Sequence, residues 1–193
     1  MRQRWALVVV GAWIAGSICA SIVAAENFYT IDRLLARPAN GAFSAAVRQL
    51  GAPQARELLR YLSSELNRLY FQLWNEAQLV IGALALWLIV GRSRPDRRTA
   101  RAARVVVGML AIVVLMLLWL TPAIVALGRE LDFVPRDPPP PGMQRFWTLH
   151  AAYTSLEMLK LAAGLLVAYW IAQAPSGSAE TLTTNSKFQI PNS

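Results

Sequence analysis

The chain has 193 residues, of which 55% are hydrophobic and 16% are charged, and its formal net charge is +8. This composition excludes an ordinary soluble domain, in which roughly 25% of residues are charged. The arginines stand beside apolar blocks, and one cysteine and one histidine are too few for a disulfide or a zinc, haem or iron–sulfur site, so we expect no nucleic-acid partner, no metal and no cofactor.

Four apolar blocks have about the 20 residues that a helix needs to cross the hydrocarbon core of a bilayer. They cover residues 5–25, 69–90, 105–126 and 146–171. The sequence therefore predicts an all-α integral membrane protein, a four-helix bundle that forms a single domain over residues 1–173 and has the lipid bilayer as a partner. Residues 174–193 are rich in Ser and Thr and predict a disordered tail.

The first block has two interpretations. Its basic start and the small residues at its end are also typical of a cleavable signal peptide. We favour a retained helix, because the block is long enough to span the membrane and repeats a small residue at every fourth position, which lets another helix approach closely. These packing residues are Ala12, Gly16, Ala20 and Ala24.

Residues 26–68 are more polar and carry apolar side chains at helical spacing. One group contains Phe43, Val47 and Leu50, and a second group begins at Leu58 and continues into the second apolar block. The sequence predicts an amphipathic helical segment outside the membrane core. A helix over residues 54–90 would be about 55 Å long, which exceeds the thickness of the bilayer.

The loop between the second and third blocks carries many arginines and one acid, Asp96. By the positive-inside rule it lies in the cytoplasm, whereas the loop over residues 128–145 balances its charges and lies outside. Both termini are then cytoplasmic if the first helix is kept, in a plasma (inner) membrane. The basic residues are first a topology signal and second a site for anionic lipid or a partner. They are Arg92, Arg94, Arg97, Arg98, Arg101 and Arg104.

The fourth block contains His150, Glu157 and Lys160, and ionisable residues inside a membrane span need a physical reason. Helical spacing predicts that His150, Thr154 and Glu157 share one stripe and that Glu157 pairs with Lys160. The pair either neutralises itself and orients the helix, which we favour, or belongs to a pathway for protons or a polar solute.

The second block supplies Gln72, Asn75 and Glu76, followed by Gln78. Gln72 and Glu76 share a face, while Asn75 and Gln78 point elsewhere. The depth of Glu76 suggests the hypothesis that it meets His150 near the outer leaflet. A lone histidine near an interface is more often a hydrogen-bonded anchor than a base, and no nucleophile with its base is evident.

The third block carries no charge, and Pro122 near its outer end predicts a kink whose freed backbone groups are satisfied by neighbouring helices and the Thr121 hydroxyl. Around this point the sequence resembles a known family. The segments that carry the resemblance are residues 120–127, residues 145–150, the second-block segment of residues 65–71 with Trp74 and Gln78, and Ser155, Leu156, Leu159, Leu161, Gly164 and Leu165.

These segments resemble the domain-of-unknown-function 4149 family, bacterial membrane proteins similar to transmembrane protein 205. The resemblance covers about the last two thirds of the chain and implies a four-helix fold without naming a reaction. Glu157 and Lys160 depart from the small, amide or apolar side chains of that family. The resemblance therefore implies nothing about the function of this face.

Three classes of function remain. We favour a small structural or partner-binding membrane protein, with a membrane-protein partner or a second copy of the chain, because small residues line the first helix and no catalytic set is assembled. The alternative is a proton or small-solute transport component. A membrane-embedded enzyme with His150 as its base is the second alternative, and we expect the chain not to be an enzyme.

Overall fold

A computed structural model describes residues 1–38, 40–91 and 96–173 of the chain. The tail over residues 174–193, together with Arg92 and Arg94 of the basic loop, lies outside these ranges. Every regular element within them is helical. In chain order they are α1 (Arg2–Ala36), α2 (Gly41–Leu50), α3 (Ala52–Val90), α4 (Arg97–Leu115), a π-helical segment (Met116–Leu120), α5 (Thr121–Glu130) and α6 (Met143–Ala172).

Within the described ranges, four helical stretches are long and apolar enough to cross a membrane, which confirms the predicted all-α fold. They are Arg2–Ala36, Ala52–Val90, Arg97–Glu130 and Met143–Ala172. Large apolar side chains point away from the bundle, including Val80, which is 70% exposed, and Leu118, which is 72% exposed. Such a surface is typical of helices that face lipid.

The helices are longer than the apolar blocks. Residues 26–36 contain no helix breaker before Pro38, so α1 continues through them to Ala36. The segment over residues 26–68 is therefore not a separate unit, because its first part extends α1 and its last part begins α3. Within the described residues of this segment, α2 is the one helix that is separate from the long helices. The Asn40 side chain caps its first turn by accepting from Ala42 N at 2.7 Å. Gly51, with φ +83°, ends it.

The four spans form an antiparallel ring in which α1 and α4 each pack against both α3 and α6. At one end, the terminal end, the Arg2 guanidinium donates to Gly91 O and Gln3 Nε2 donates to Ile171 O at 2.7 Å. At the other end, the distal end, Asn27 Nδ2 donates to Asn67 Oδ1 at 2.6 Å. The distal end also carries α2 and the connection from α5 to α6.

Apolar packing is concentrated in the terminal half of the bundle. The main core joins the start of α1, the end of α3, the start of α4 and the end of α6. A second and smaller cluster, in the distal half, contains Met116, Leu120 and Tyr153. The distal half is therefore less densely filled with apolar side chains. The main core contains Ala6, Val10, Trp13, Ala85, Leu88, Ile89, Ala102, Val106, Met109, Val113, Val167 and Ile171.

The small residues of α1 pack against α3 over only part of their predicted length. Gly16 lies against the Trp74 indole so closely that a Cβ at position 16 would collide with the ring. Ala20 and Ala24 are half-buried, and Ala24 O accepts a hydrogen bond from Asn67 Nδ2 at 3.0 Å. Ala12 was predicted to pack as well, but it is exposed, because the inward face at this level is formed by Trp13.

The helix around Pro122 adjusts its hydrogen bonding one turn earlier in the chain. The Thr121 N–H donates to Met116 O, five residues before it, so the turn over Met116–Leu120 is π-helical. π-helical turns are rare within α-helices, and this one lies directly before Pro122, which has no N–H to donate. The helix then continues as α5 and brings the Thr121 side chain into the bundle, where it is buried.

Candidate functional site

An ion pair lies buried in the middle of α6. Lys160 is 2% exposed and Glu157 is 6% exposed, and Lys160 Nζ donates to Glu157 Oε1 at 2.7 Å. Their spacing of three residues places both side chains on one face of the helix. The predicted pairing and the inward direction of Glu157 are confirmed, and Lys160 is buried in the bundle instead of extending to its surface.

The Gln78 amide connects this pair to two other helices. Its Oε1 accepts from Lys160 Nζ and from Trp13 Nε1, the latter at 2.9 Å. Its Nε2 donates to Asn75 Oδ1 at 3.4 Å, one helical turn earlier. One side chain of α3 is thus hydrogen-bonded to both α1 and α6.

Asn75 extends these contacts toward the distal end. Its Nδ2 donates to Thr121 Oγ1 at 3.0 Å, and its Oδ1 accepts from the Tyr153 hydroxyl at 3.3 Å. The connected side chains come from all four spans, and each is buried. We call this set the polar network. It consists of Trp13, Asn75, Gln78, Thr121, Tyr153, Glu157 and Lys160.

The polar residues of the second span divide between two faces of α3. Asn75 and Gln78 are completely buried, whereas Gln72 and Glu76 are exposed and bond to each other, with Gln72 Nε2 donating to Glu76 Oε1 at 3.2 Å. With Asn75 facing inward, the next residue is turned by about 100° around the helix. In the described residues the hypothetical contact between Glu76 and His150 is therefore not formed.

The inward stripe of α6 differs by one residue from the predicted stripe. Tyr153 points into the bundle, whereas Thr154 is exposed and its hydroxyl donates to His150 O at 3.0 Å. The stripe that includes Glu157 and Lys160 therefore passes through Tyr153. Trp13 also bonds in this network, although helical spacing alone does not predict it. Its signal in the sequence is the indole N–H, one polar group on an otherwise apolar side chain.

Two buried polar atoms have no hydrogen-bond partner among the described residues. They are Glu157 Oε2 and Trp74 Nε1. An unsatisfied buried group costs about 1–3 kcal/mol, and more when it belongs to a charged side chain. The polar network is therefore well connected at Gln78 and Asn75 and incomplete at its Glu157 end.

A cavity of about 370 Å³ opens beside the other end of the network, in the distal half of the bundle. Thr121 and Tyr153 line it together with Phe71, Ile124 and Val125. Because Thr121 and Tyr153 also bond to Asn75, the polar network forms part of the cavity wall. We call the part of the cavity nearest the polar network its lower part. This part is largely apolar and carries the two hydroxyl groups of Thr121 and Tyr153.

Arginines stand at the distal side of this cavity. Arg60, Arg68 and Arg136 line it, together with the carboxylate of Asp132. Arg68, whose side chain is 12% exposed, pairs with Glu65 and with Asp132, the latter at 2.8 Å. Arg60 pairs with Glu57 at 2.8 Å. Neither glutamate lines the cavity, so the lining itself presents more cations than anions.

Arg136 differs from the other two arginines. In the described part of the chain, no ion pair or hydrogen bond engages its guanidinium. Arg136 is exposed as a whole residue, but partial burial of its guanidinium and then the nearby Arg60 cation lower its pKa, and Glu57 and Asp132 offset part of this effect. Arginine stays protonated at every physiological pH, so its positive charge remains and would be stabilised by an anion in the cavity.

His150 also lines the cavity, half-buried among aromatic rings. Its ring is stacked on Phe146 at 6.1 Å and meets the edge of Trp147 at 6.0 Å between centroids. In the described ranges no carboxylate bonds to this imidazole, and no three His, Cys, Asp or Glu side chains come together as metal ligands. The arrangement offers an aromatic and polar wall for a ligand.

The predicted basic loop is described in part, at the terminal end. Arg98 Nη1 donates to Gln173 O at 3.1 Å and so joins the start of α4 to the end of α6. Arg97, Arg101 and Arg104 are exposed. These cations lie at the opposite end from the cavity, and none of them lines it.

Comparison of the chain with protein-family models, with curated proteins and with solved structures finds no match. The resemblance to the domain-of-unknown-function 4149 family stays a prediction. The polar network and the cavity are therefore the features that bear on function.

We expect Lys160→Leu to lower the thermal unfolding temperature of the protein in detergent, because it leaves the Glu157 carboxylate buried beside a neutral side chain. Removing one partner of a buried pair costs roughly 3–5 kcal/mol, and replacing both partners by apolar side chains is far milder. The double variant Glu157→Leu with Lys160→Leu should therefore recover most of the loss. Thr154→Leu, an exposed position on the same helix, is the control. A double variant as unstable as Lys160→Leu would contradict this role of the pair.

Proposed function

We propose that the chain is a small multi-pass membrane protein that binds a partner molecule in the cavity at its distal end, while the polar network holds the spans in one arrangement. The observation that supports this most is the cavity itself, of about 370 Å³ and lined by residues of α1, α3, α5 and α6. Sites for small molecules have volumes of about 300–1,000 Å³ and mostly apolar walls with a few polar groups.

The polar network is proposed to be structural. In lipid there is no water to replace a missing partner, so amide, hydroxyl and indole groups between helices favour the one packing that satisfies them. Asn75 and Gln78 have partners on the other three spans. This arrangement fixes the helices that surround the cavity.

A transport component is the second candidate. It is favoured by the continuous chain of hydrogen bonds from the cavity wall at Tyr153 to Lys160, and by the unsatisfied Glu157 Oε2. Beyond Lys160, however, the inward residues of α6 are Gly164, Val167 and Ile171. Over about 16 Å of helix toward the terminal end these positions carry no polar side chain. We therefore favour ligand binding over transport as the function of the cavity.

Catalysis is supported less than binding. An enzyme needs a base within hydrogen-bond reach of a nucleophile or a reacting proton. Among the described residues His150 has aromatic neighbours and no acid to orient it. The same side chain fits the wall of a binding site.

The proposed orientation places the distal end outside a plasma (inner) membrane and the terminal end in the cytoplasm, because the described basic residues at the start of α4 lie at the terminal end. We expect a membrane-impermeant thiol reagent to label Gln144→Cys in intact cells and to leave Ala100→Cys unlabelled. Both positions are exposed and lie at opposite ends of the bundle, and the native Cys19 is first replaced by Ala in both variants. Labelling of Ala100→Cys alone would reverse the orientation.

We expect Val125→Trp to remove the bound molecule, because Val125 lines the cavity and the larger ring would fill it. The matched control is Ala126→Trp, since Ala126 is the next residue of α5, is exposed and does not line the cavity. Each protein is purified from native membrane in mild detergent, and the co-purifying small molecules are extracted and quantified by mass spectrometry.

The expected result is a molecule that is present in the wild type and in Ala126→Trp and is at least ten-fold less abundant in Val125→Trp. Binding in the cavity would be ruled out by equal amounts in the two tryptophan variants. The absence of any stoichiometric molecule from the wild type would likewise count against the proposed function.

A further inference from the structure

The charge around the cavity selects for an anionic ligand. Arg60, Arg68 and Arg136 face it against the single carboxylate of Asp132, and Arg136 has no ion pair or hydrogen bond within the described residues. An arginine fork binds phosphate or carboxylate through two parallel N–H donors. Arg60 and Arg68 already have carboxylate partners, so Arg136 is the lining cation whose charge such a group would neutralise.

The lower part of the same cavity selects for an apolar group. Phe71, Ile124 and Val125 line it beside the hydroxyls of Thr121 and Tyr153, and the three apolar side chains offer no donor to a small hydrated anion. A free phosphate would therefore leave this volume empty or filled with water. A molecule with an anionic head and an apolar chain matches both parts of the cavity.

Within the described residues, the hydrogen bonding between α1 and α6 is confined to the terminal side of the bundle. At the distal end α1 is bonded to α3, where Ser63 Oγ donates to Asn27 O at 3.1 Å and Asn67 accepts from Asn27. Toward the terminal end α1 contacts α6 instead, through Gln3 and through Ile14, which packs on Gly164. Among the described residues no hydrogen bond joins α1 to α6 on the distal side of Gly164.

The cavity lining includes one exposed aromatic side chain from each of these two helices. Phe28 on α1 is 41% exposed and Trp147 on α6 is 54% exposed, and both line the cavity. Exposed aromatic rings at this level are typical of the interface between lipid and water. A lipid chain that leaves the cavity between these two rings would pass at the level of that interface.

We propose that the occupant of the cavity is an anionic phospholipid from the leaflet at the distal end. Its phosphate lies against Arg136 and Arg60, the first part of its chains fills the apolar lower part, and the remaining chains leave between Phe28 and Trp147. This inference rests on the proposed function, since it names the class of molecule that the same cavity binds.

The test uses the full chain in nanodiscs of phosphatidylcholine, with dioctanoyl phosphatidylglycerol as the added probe and native mass spectrometry as the readout. Arg136→Gln should weaken binding at least five-fold, because it removes the cation that lacks a protein partner. Arg145→Gln, which removes an exposed cation outside the lining, should change the affinity by less than two-fold. Val125→Trp should abolish binding, and thermal unfolding without the probe verifies that each variant is folded.

Two further probes separate the sources of the anionic group. Dioctanoyl phosphatidylcholine and inorganic phosphate should each bind at least ten-fold more weakly than dioctanoyl phosphatidylglycerol. The inference would be overturned if dioctanoyl phosphatidylcholine or inorganic phosphate bound as tightly as dioctanoyl phosphatidylglycerol. It would also be overturned if Arg136→Gln and Arg145→Gln lost the same amount of affinity. If the molecule displaced by Val125→Trp is not a phospholipid, the inference fails and the proposed function stands. If nothing is displaced, both fail.

Discussion

The structure depends on one constraint, which is that polar groups inside an apolar bundle must find their partners within the bundle. Gln78 meets this constraint for three helices at once, because its carbonyl oxygen accepts from Lys160 on α6 and from Trp13 on α1. The Lys160 ammonium is further stabilised by Glu157. Sliding or rotating any of these helices would separate a buried donor from its acceptor, so the amide favours a single arrangement of the spans.

This constraint divides the bundle into two halves with different roles. On the terminal side of Lys160 the helices meet through a close-packed apolar core, in which Ala85, Val106 and Val167 are completely buried. On the distal side the helices are held by polar contacts between pairs, such as Arg68 with Asp132, and a cavity remains between them. Close packing supports stability, whereas a site for a ligand needs unfilled volume. The polar network stands between the two halves and gives the cavity two of its hydroxyl groups.

Local sequence features predicted the number of spans and the pairing of Glu157 with Lys160, because hydropathy and helical spacing act over a few turns of one helix. The inward face of α3 was not determined in this way, since it depends on which residues the other helices can bond to. Asn75 therefore became central while Glu76 turned outward. The role of Trp13 was missed for the same reason, because its indole donor matters only beside Gln78 on another helix. The cavity is formed by residues far apart in the chain, and no local pattern contains it.

The most direct test of this view is the free energy of unfolding of Gln78→Leu compared with that of Gln72→Leu. Both changes replace a glutamine by leucine on α3, but Gln78 is completely buried and Gln72 is exposed. Gln78→Leu leaves Trp13 Nε1 without an acceptor, removes one of the two acceptors of Lys160 Nζ and removes a donor to Asn75 Oδ1. An unsatisfied buried group costs about 1–3 kcal/mol. We predict that Gln78→Leu destabilises the protein by at least about 2 kcal/mol more than Gln72→Leu does. Equal unfolding free energies for the two variants would contradict the central role of this amide.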